Sequence, residues 1–116
     1  MNIKEFIEIQ NTFDEKHGWS NRKSNNSEDT INQLKNDIVG LVGEVGEFSN
    51  IVKKISLEPK EEFDTAFDNN LENLHEELTD IFIYLLRIMT SLDTDVENEF
   101  LKKMKFNERR FKKFEY

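Results

Sequence analysis

Residues 71–92 read LENLHEELTDIFIYLLRIMTSL. Apolar residues recur in this segment every three or four positions, which is the spacing of one face of an α-helix; they are Leu71, Leu74, Leu78, Phe82, Leu85 and Met89. Over IFIYLL, residues 81–86, the helix is apolar nearly all round. Helices that are apolar on every side are buried, so the segment predicts a helix at the centre of a bundle or at a contact between subunits.

Three further segments show helical spacing of their apolar residues, and they cover residues 3–16, 28–55 and 95–111. Only 4 Gly and 1 Pro interrupt the chain, and no run alternates apolar and polar residues as a strand would. The sequence therefore predicts a single all-α domain, residues 1–116, built as a bundle of four to five helices. The fifth would be a short helix in the ambiguous acidic stretch 61–70.

The ends of these helices have their own signals. Gly18 is expected to end the first helix because glycine is a natural stop. Ser27 is the expected cap of the second helix, and either Asp93 or Thr94 that of the fourth. Residues 20–27, SNRKSNNS, contain no apolar side chain and predict a loop, which is a candidate lid. The fourth helix is expected to turn its apolar residues inward, namely Val96, Phe100, Leu101 and Met104.

The charge and the composition of the chain argue against several classes of protein. Its formal net charge is -8, with 24 Asp and Glu against 16 Lys and Arg, which argues against a nucleic-acid binder that needs a basic face. No apolar run approaches the ~20 residues of a membrane span, and the N-terminal MNIKEFIEIQ lacks the apolar core of a secretion signal. The absence of Cys excludes disulfides and Cys-based zinc sites. We expect a cytoplasmic protein whose partners include neither nucleic acid nor a membrane.

The segment GLVGEVGEF, residues 40–48, is unusual for a helix interior. Gly43 and Gly46 each cost about 1 kcal/mol relative to Ala, a cost that suits a place where a backbone or a ligand comes close. Glu44 and Glu47 lie beside these glycines. Because they are three residues apart, they point to the same side of the helix, on the flank of its apolar face.

A second acidic pair, Glu77 and Asp80, has the same spacing on the third helix. If the second and third helices pack antiparallel, the two pairs meet, and their mutual repulsion requires a cation. Carboxylate oxygens without Cys or His select Mg²⁺ or Mn²⁺, and Mg²⁺ commonly shares its shell with phosphate oxygens. The pattern therefore indicates a phosphorylated substrate. The alternative is an ordinary solvated helix face, since acidic pairs are common in so acidic a chain.

Five further residues are candidates for substrate binding. Tyr84 follows Asp80 by one turn, although a lone Tyr is more often part of a core. Lys103 and Asn107 are four apart on the fourth helix and suit phosphate, or they belong to a basic C-terminal turn. Lys54 is equally ambiguous. Trp19, the single Trp, either stacks on a base or anchors the loop that follows it.

Three segments together resemble the MazG-like nucleotide pyrophosphohydrolases of the all-α NTP pyrophosphatase superfamily. They are GLVGEVGEF at 40–48, LHEELTDIFIYLLRI at 74–88 and KKMKFNERRF at 102–111. Their order, a Glu pair, then Glu-x-x-Asp, then Lys-x-x-x-Asn, is that of the family, and the resemblance spans roughly residues 38–111. Gly43 stands where many members carry a further Glu, and this shorter form resembles the dCTP-pyrophosphatase-like or phage MazG-like branch.

The resemblance implies hydrolysis of a (deoxy)nucleoside triphosphate to the monophosphate and pyrophosphate, in the service of nucleotide-pool house-cleaning. It implies Mg²⁺, or Mn²⁺ in its place, held by Glu44, Glu47, Glu77 and Asp80. One of the first two, Glu44 or Glu47, would also orient the attacking water as a base.

The resemblance further implies that Lys103 and Asn107 hold the phosphates and that Tyr84 lines the nucleoside pocket. Family members are dimers or dimers of dimers with sites near the subunit contact. We therefore expect a homodimer or a dimer-of-dimers tetramer that associates through its central helices. Two alternatives remain: a hydrolase of the same superfamily acting on dUTP or phosphoribosyl-ATP, and a non-enzymatic acidic helical-bundle binding module.

Overall fold

The computed structural model describes residues 1–19 and 26–116, and over these ranges it contains helices and no strand. The predicted all-α class is therefore confirmed. The described residues form four α-helices, α1 (Ile3–Lys16), α2 (Ser27–Ser56), α3 (Phe63–Ser91) and α4 (Val96–Arg110), with single 3-10 turns at Lys60–Glu62 and Lys112–Phe114. The predicted lid loop covers residues 20–27. Residues 20–25 lie outside the described ranges, and residues 26 and 27 stand at the start of α2.

Two predicted helix caps are wrong by one or two residues. Asn26 caps α2, its Oδ1 accepting from the Glu28 N–H at 2.8 Å, and Ser27 is already helical. Asp95 caps α4 by accepting from the Asn98 N–H at 3.2 Å. Asp93 cannot be the cap because its backbone has a φ of 51° in the turn before the helix, whereas a cap residue has extended backbone next to the first turn.

The third helix begins eight residues before its predicted start, at Phe63 rather than at residue 71. The acidic stretch 61–70 is thus not a separate short helix. Pro59 begins a single 3-10 turn, and α3 follows it directly. No Gly or Pro interrupts residues 63–70, so the helix continues without a break.

Helices α2 and α3 form an antiparallel hairpin, in which Gly40 of α2 lies opposite Tyr84 of α3 and Glu44 lies near Asp80. Helix α1 packs on α3, and the Phe6 ring meets the Phe82 ring edge-on at 6.0 Å. None of the described helices is long and apolar enough to cross a membrane.

Helix α4 makes no extended contact with α2 or α3. The expectation that it turns its apolar residues inward is wrong for Phe100, Leu101 and Met104, which are exposed. Val96 alone of that set is half-buried, beside the start of α1. The amphipathic pattern of α4 is real, but within one chain nothing in the described ranges covers its apolar face.

Candidate metal centre

Three carboxylates from two helices meet at the middle of the hairpin. Glu44 of α2 and Glu77 and Asp80 of α3 each place one carboxylate oxygen so that the three lie within 4.8 Å of one another. All three side chains are half-buried. The antiparallel packing of α2 on α3 brings them together, because the carboxylates flank the apolar stripes through which the helices pack.

The electrostatics of this group are unfavourable without a cation. Glu44 Oε2 and Glu77 Oε2 are buried and have no hydrogen-bond partner within the described residues. When protonated, the Glu77 carboxyl donates a hydrogen bond to the Glu44 carboxylate; this bond, then burial, then the neighbouring Glu47 raise the pKa of Glu77 from 4.5 to about 7. Buried oxygens of this kind are normally satisfied by a donor or a metal, and the donor set here suits a hard divalent cation.

Glu47, the fourth predicted ligand, stands apart from the other three. Its side chain is exposed, and it does not belong to the group within 4.8 Å. It is nevertheless close enough to Glu77 to contribute to that group's raised pKa. One turn of helix therefore places Glu47 at the solvent side of the centre.

A cleft of about 380 Å³ opens directly beside the carboxylates, with Glu44 and Asp80 in its wall. The rest of the wall is formed by side chains from α1 and α3, namely Ile9, Gln10, Phe13, Ile83, Tyr84 and Arg87. A larger groove of about 520 Å³ runs along α1 and shares Ile9 and Phe13 with the cleft, but it contains none of the three carboxylates. The smaller cleft therefore adjoins the candidate metal centre at Glu44 and Asp80, and another groove of about 360 Å³ reaches Asp80 from the side of Glu72, His75, Glu76 and Thr79.

Tyr84 is held in this wall by two contacts that sequence reasoning missed. A Cβ atom built on Gly40 would overlap the Tyr84 ring, so only glycine lets the ring lie against α2. On its other side, the Arg87 guanidinium lies 5.2 Å from the ring centroid. The sequence holds a signal for Arg87, since a lone cation inside an apolar run has to find a partner.

That partner is Asp14 of α1, whose side chain is fully buried. Arg87 Nε donates to Asp14 Oδ2 at 3.1 Å, and Arg87 Nη2 donates to Asp14 Oδ1 at 2.9 Å. Gln10 Nε2 donates to the same Oδ1 at 3.0 Å. Desolvation opposes the charge of Arg87, but the hydrogen bonds to Asp14 outweigh it and raise the Arg87 pKa.

The other predicted substrate-binding residues do not reach the carboxylates within one chain. Trp19 is exposed and packs against the His17 ring at 4.8 Å. Lys54 is exposed on α2, seven residues and therefore about 10 Å along the helix from Glu47. Lys103 Nζ lies 4.9 Å from the Phe106 ring centroid. Asn107 Oδ1 accepts from Arg110 Nη2 at 3.2 Å, within α4.

Comparisons of this chain with protein-family models, with curated proteins and with solved structures found no match. Its function has therefore to be argued from its own residues. The strongest indication of function among these residues is the group of three carboxylates with the cleft that adjoins it.

Proposed function

We propose that the protein is an Mg²⁺-dependent nucleoside triphosphate pyrophosphohydrolase, which converts a (d)NTP and water to the (d)NMP and pyrophosphate. The observation that carries this proposal is the meeting of Glu44, Glu77 and Asp80, two of which have a buried oxygen that no described residue satisfies. The three carboxylates come from two different helices and meet at one place, whereas the acids of an ordinary solvent-exposed helix face need not meet. The order of the three sequence motifs supports the same reaction.

The residues fit a divalent cation. All the donors are carboxylate oxygens, which Mg²⁺ and Mn²⁺ prefer, and a cation would satisfy the orphaned oxygens of Glu44 and Glu77. A bound divalent ion would neutralise the charge of the phosphates and lower the pKa of a coordinated water.

Glu47 is the best placed base. It lies beside the three carboxylates on the solvent side and is not itself needed to complete the group. Its carboxylate takes a proton as the water oxygen forms a bond to phosphorus, while the bond from phosphorus to the bridging oxygen breaks and pyrophosphate leaves. Of Glu44 and Glu47, we therefore assign the base to Glu47, whose side chain is the more exposed.

The neighbouring cleft suits the nucleoside. Its volume is within the range of small-molecule sites, which begins at about 300 Å³. Tyr84 and Phe13 offer aromatic rings on which a base stacks. We assign Lys103 and Asn107 to the phosphates, Lys54 and Trp19 to the periphery of the substrate, and a homodimer or a dimer of dimers to the assembly.

The reaction is tested by incubating the protein with Mg²⁺ and each of the eight common NTPs and dNTPs, dUTP and phosphoribosyl-ATP, and separating the products by chromatography. We expect monophosphate and pyrophosphate, lost with EDTA. Glu77→Gln should lower turnover by more than about 100-fold, since even partners of metal ligands are worth about 10–100-fold.

Asp68→Asn is the matched control, because Asp68 is an exposed acid on the same helix, nine residues from Glu77 and on the opposite side. It should leave turnover unchanged. Turnover of no nucleotide, with no effect of Mg²⁺ on thermal stability, would contradict the proposal and favour an acidic binding module.

A further inference from the structure

The wall of the cleft contains two hydrogen-bonding side chains to which the proposed function assigns no role, Gln10 of α1 and Arg87 of α3. Tyr84 and Phe13 offer faces for stacking, but stacking does not distinguish the bases well because every base has an aromatic face. Small-molecule sites are mostly apolar and select their ligand through a few well-placed polar groups. Gln10 and Arg87 are therefore placed to distinguish one base from another.

Asp14 fixes the orientation of the Gln10 amide. Gln10 Nε2 donates to Asp14 Oδ1 at 3.0 Å. Because an ionised carboxylate only accepts hydrogen bonds, the amide nitrogen and not the amide oxygen has to face Asp14. Gln10 Oε1 is consequently turned away from Asp14, and none of the described residues donates a hydrogen bond to it. Since Gln10 is half-buried in the wall of the cleft, it offers the cleft a hydrogen-bond acceptor.

Arg87 offers the cleft a hydrogen-bond donor. Two of its three nitrogens are engaged, because Nε donates to Asp14 Oδ2 and Nη2 donates to Asp14 Oδ1. The third nitrogen, Nη1, carries two further N–H groups, and it donates to no residue in the described ranges. The Arg87 side chain is 14% exposed and lines the cleft. Because the planar guanidinium is held by the carboxylate, its remaining donors have a fixed direction.

A single oxygen atom holds the acceptor and the donor side by side. Gln10 Nε2 and Arg87 Nη2 both donate to Asp14 Oδ1, at 3.0 Å and 2.9 Å, so the amide and the guanidinium are neighbours. The Asp14 side chain is fully buried, and hydrogen bonds in such surroundings are stronger than in water. Both head groups are thus fixed before a ligand binds, which removes part of the entropic cost of ordering them.

The edges of the nucleobases meet such a pair of groups in two opposite ways. Cytosine and adenine present an exocyclic amino donor next to a ring nitrogen that accepts, whereas uracil, thymine, guanine and hypoxanthine present a carbonyl acceptor next to a ring N–H donor. An acceptor beside a donor in the protein therefore complements the first group of bases. With the second group, acceptor faces acceptor and donor faces donor, and a site built for hydrogen bonds rejects a ligand that leaves its polar groups unpaired.

We infer that Gln10 and Arg87, held by Asp14, select nucleotides of cytosine or adenine, whose base carries an amino group, over nucleotides whose base carries a carbonyl at that position. Gln10 Oε1 accepts from the amino group, and Arg87 Nη1 donates to the adjacent ring nitrogen. Asp14 does not contact the base and is a positioning residue, which acts by orienting the other two. This selection rests on the proposed function for the placement of a nucleoside in the cleft, and it names the substrate class of that site.

Matched pairs of nucleotides test the selection in the unaltered protein. The pairs are dCTP with dUTP and dATP with dITP, and the members of each pair differ only in having an amino group or a carbonyl at one position of the base. In the pair that is turned over faster, kcat/KM should favour the amino member by about 5–150-fold, the range for a bidentate contact to a base edge. Equal values in that pair, or a preference for the carbonyl member, would overturn the inference.

Substitution of Gln10 separates base selection from stability. Gln10→Leu keeps the approximate size of the side chain and removes the acceptor, so the ratio of amino to carbonyl kcat/KM should fall by at least about fivefold. Gln33→Leu is the matched control, because Gln33 Nε2 donates to Asp37 Oδ1 with the same four-residue spacing, on α2 and outside the cleft. It should leave the ratio unchanged. A purely structural role would lower both members of a pair equally, so an unchanged ratio in Gln10→Leu overturns the inference.

The positioning role of Asp14 has the same readout. Asp14→Asn should lower the ratio of amino to carbonyl kcat/KM, because an amide at position 14 can face Gln10 with its oxygen or its nitrogen and no longer fixes the Gln10 amide. The ratio is taken within one protein, so a loss of stability that affects both nucleotides cancels. A ratio equal to that of the wild type would show that Asp14 does not position the acceptor.

Binding measured without turnover distinguishes this inference from the proposed function. Titration calorimetry of the wild-type protein with dCMP, dUMP, dAMP and dIMP should give tighter binding of the amino member in at least one pair. An amino preference in binding, without turnover of any triphosphate, would retain the selection of the base and reject the hydrolase. Turnover without an amino preference would retain the hydrolase and reject the selection. Neither binding nor turnover of any nucleotide would overturn both.

Discussion

Arg87 donates two hydrogen bonds to the buried carboxylate of Asp14 and so ties α3 to α1 across 73 positions of the chain. The same guanidinium lies 5.2 Å from the ring centroid of Tyr84, which lines the cleft beside the three carboxylates. One ion pair thus fixes α1 and supports the wall of the proposed nucleoside site. Its removal should affect both stability and substrate binding.

Asp14→Ala should lower the free energy of unfolding by about 3 kcal/mol, since removal of one partner from a buried pair leaves the other charge uncompensated. Arg87 retains some exposure, 14% of its side chain, which places the loss at the lower end of the range for buried pairs. Urea denaturation at fixed protein concentration measures it. The double variant Asp14→Leu with Arg87→Met should be more stable than Asp14→Ala alone; equal or greater loss would contradict the account.

Gly40→Ala should lower the free energy of unfolding by about 1–3 kcal/mol because the added Cβ overlaps the Tyr84 ring. The better helix propensity of Ala, about 1 kcal/mol, offsets part of this cost. In a Tyr84→Ala background the same substitution should be neutral or stabilising, since the ring is gone. Thermal unfolding of the four proteins gives the coupling, and additive effects would show that the two positions do not touch.

Tyr84→Ala should raise KM for the preferred nucleotide by about tenfold or more, because stacking on an aromatic ring is worth about 1–3 kcal/mol per base. Tyr84→Phe keeps the ring and should keep KM. Trp19→Ala should change KM far less, since Trp19 packs on His17 and does not line the cleft. A larger effect at Trp19 than at Tyr84 would contradict the assignment of the nucleoside to this cleft.

Metal affinity should rise with pH up to about 7 and then level off. The pKa of Glu77 is raised to about 7 by its hydrogen bond with Glu44, so below that pH a cation has to displace a proton, at a cost of up to about tenfold in affinity per pH unit. Mn²⁺ titration calorimetry between pH 5.5 and 8.5 measures this. The same affinity across that range would contradict the claim that Glu77 holds a proton below about pH 7.

The stability of the metal-free protein should change in the opposite direction. A carboxyl whose pKa is raised on folding stabilises the fold most below its unfolded pKa, and this contribution is lost as pH rises from about 4.5 through about 7. Mg²⁺ should therefore stabilise the protein more at pH 8 than at pH 6. Glu77→Gln, which cannot ionise, should remove this dependence.

The sequence predicted the helices well because apolar spacing is a local property, and it failed where local signals are weak. The early start of α3 was missed because residues 61–70 are acidic and show no clear apolar stripe. The meeting of Glu44 with Glu77 and Asp80 follows from spacing once α2 and α3 are antiparallel. Glu47 belongs to the same predicted set of ligands, and its exposed side chain lies outside the group within 4.8 Å because three residues of helix turn it by about 60° from Glu44.

Other features depend on contacts between distant parts of the chain, which periodicity does not reveal. Asp14 and Arg87 each look unremarkable until α1 and α3 pack together. Gly40 differs from Gly43 and Gly46 only because Tyr84 lies against it. The separate position of α4 was unpredictable for the same reason, since an amphipathic helix does not show whether its apolar face packs within its own chain or on another molecule.

The most direct test of the account is a crystal structure of the protein with Mn²⁺, using the anomalous scattering of the ion to locate it. We predict an anomalous peak in contact with carboxylate oxygens of Glu44, Glu77 and Asp80, and no such peak in Glu77→Gln crystals prepared in the same way. A well-ordered centre without an anomalous peak, or a peak bound elsewhere on the chain, would contradict the assignment of this site as the metal centre.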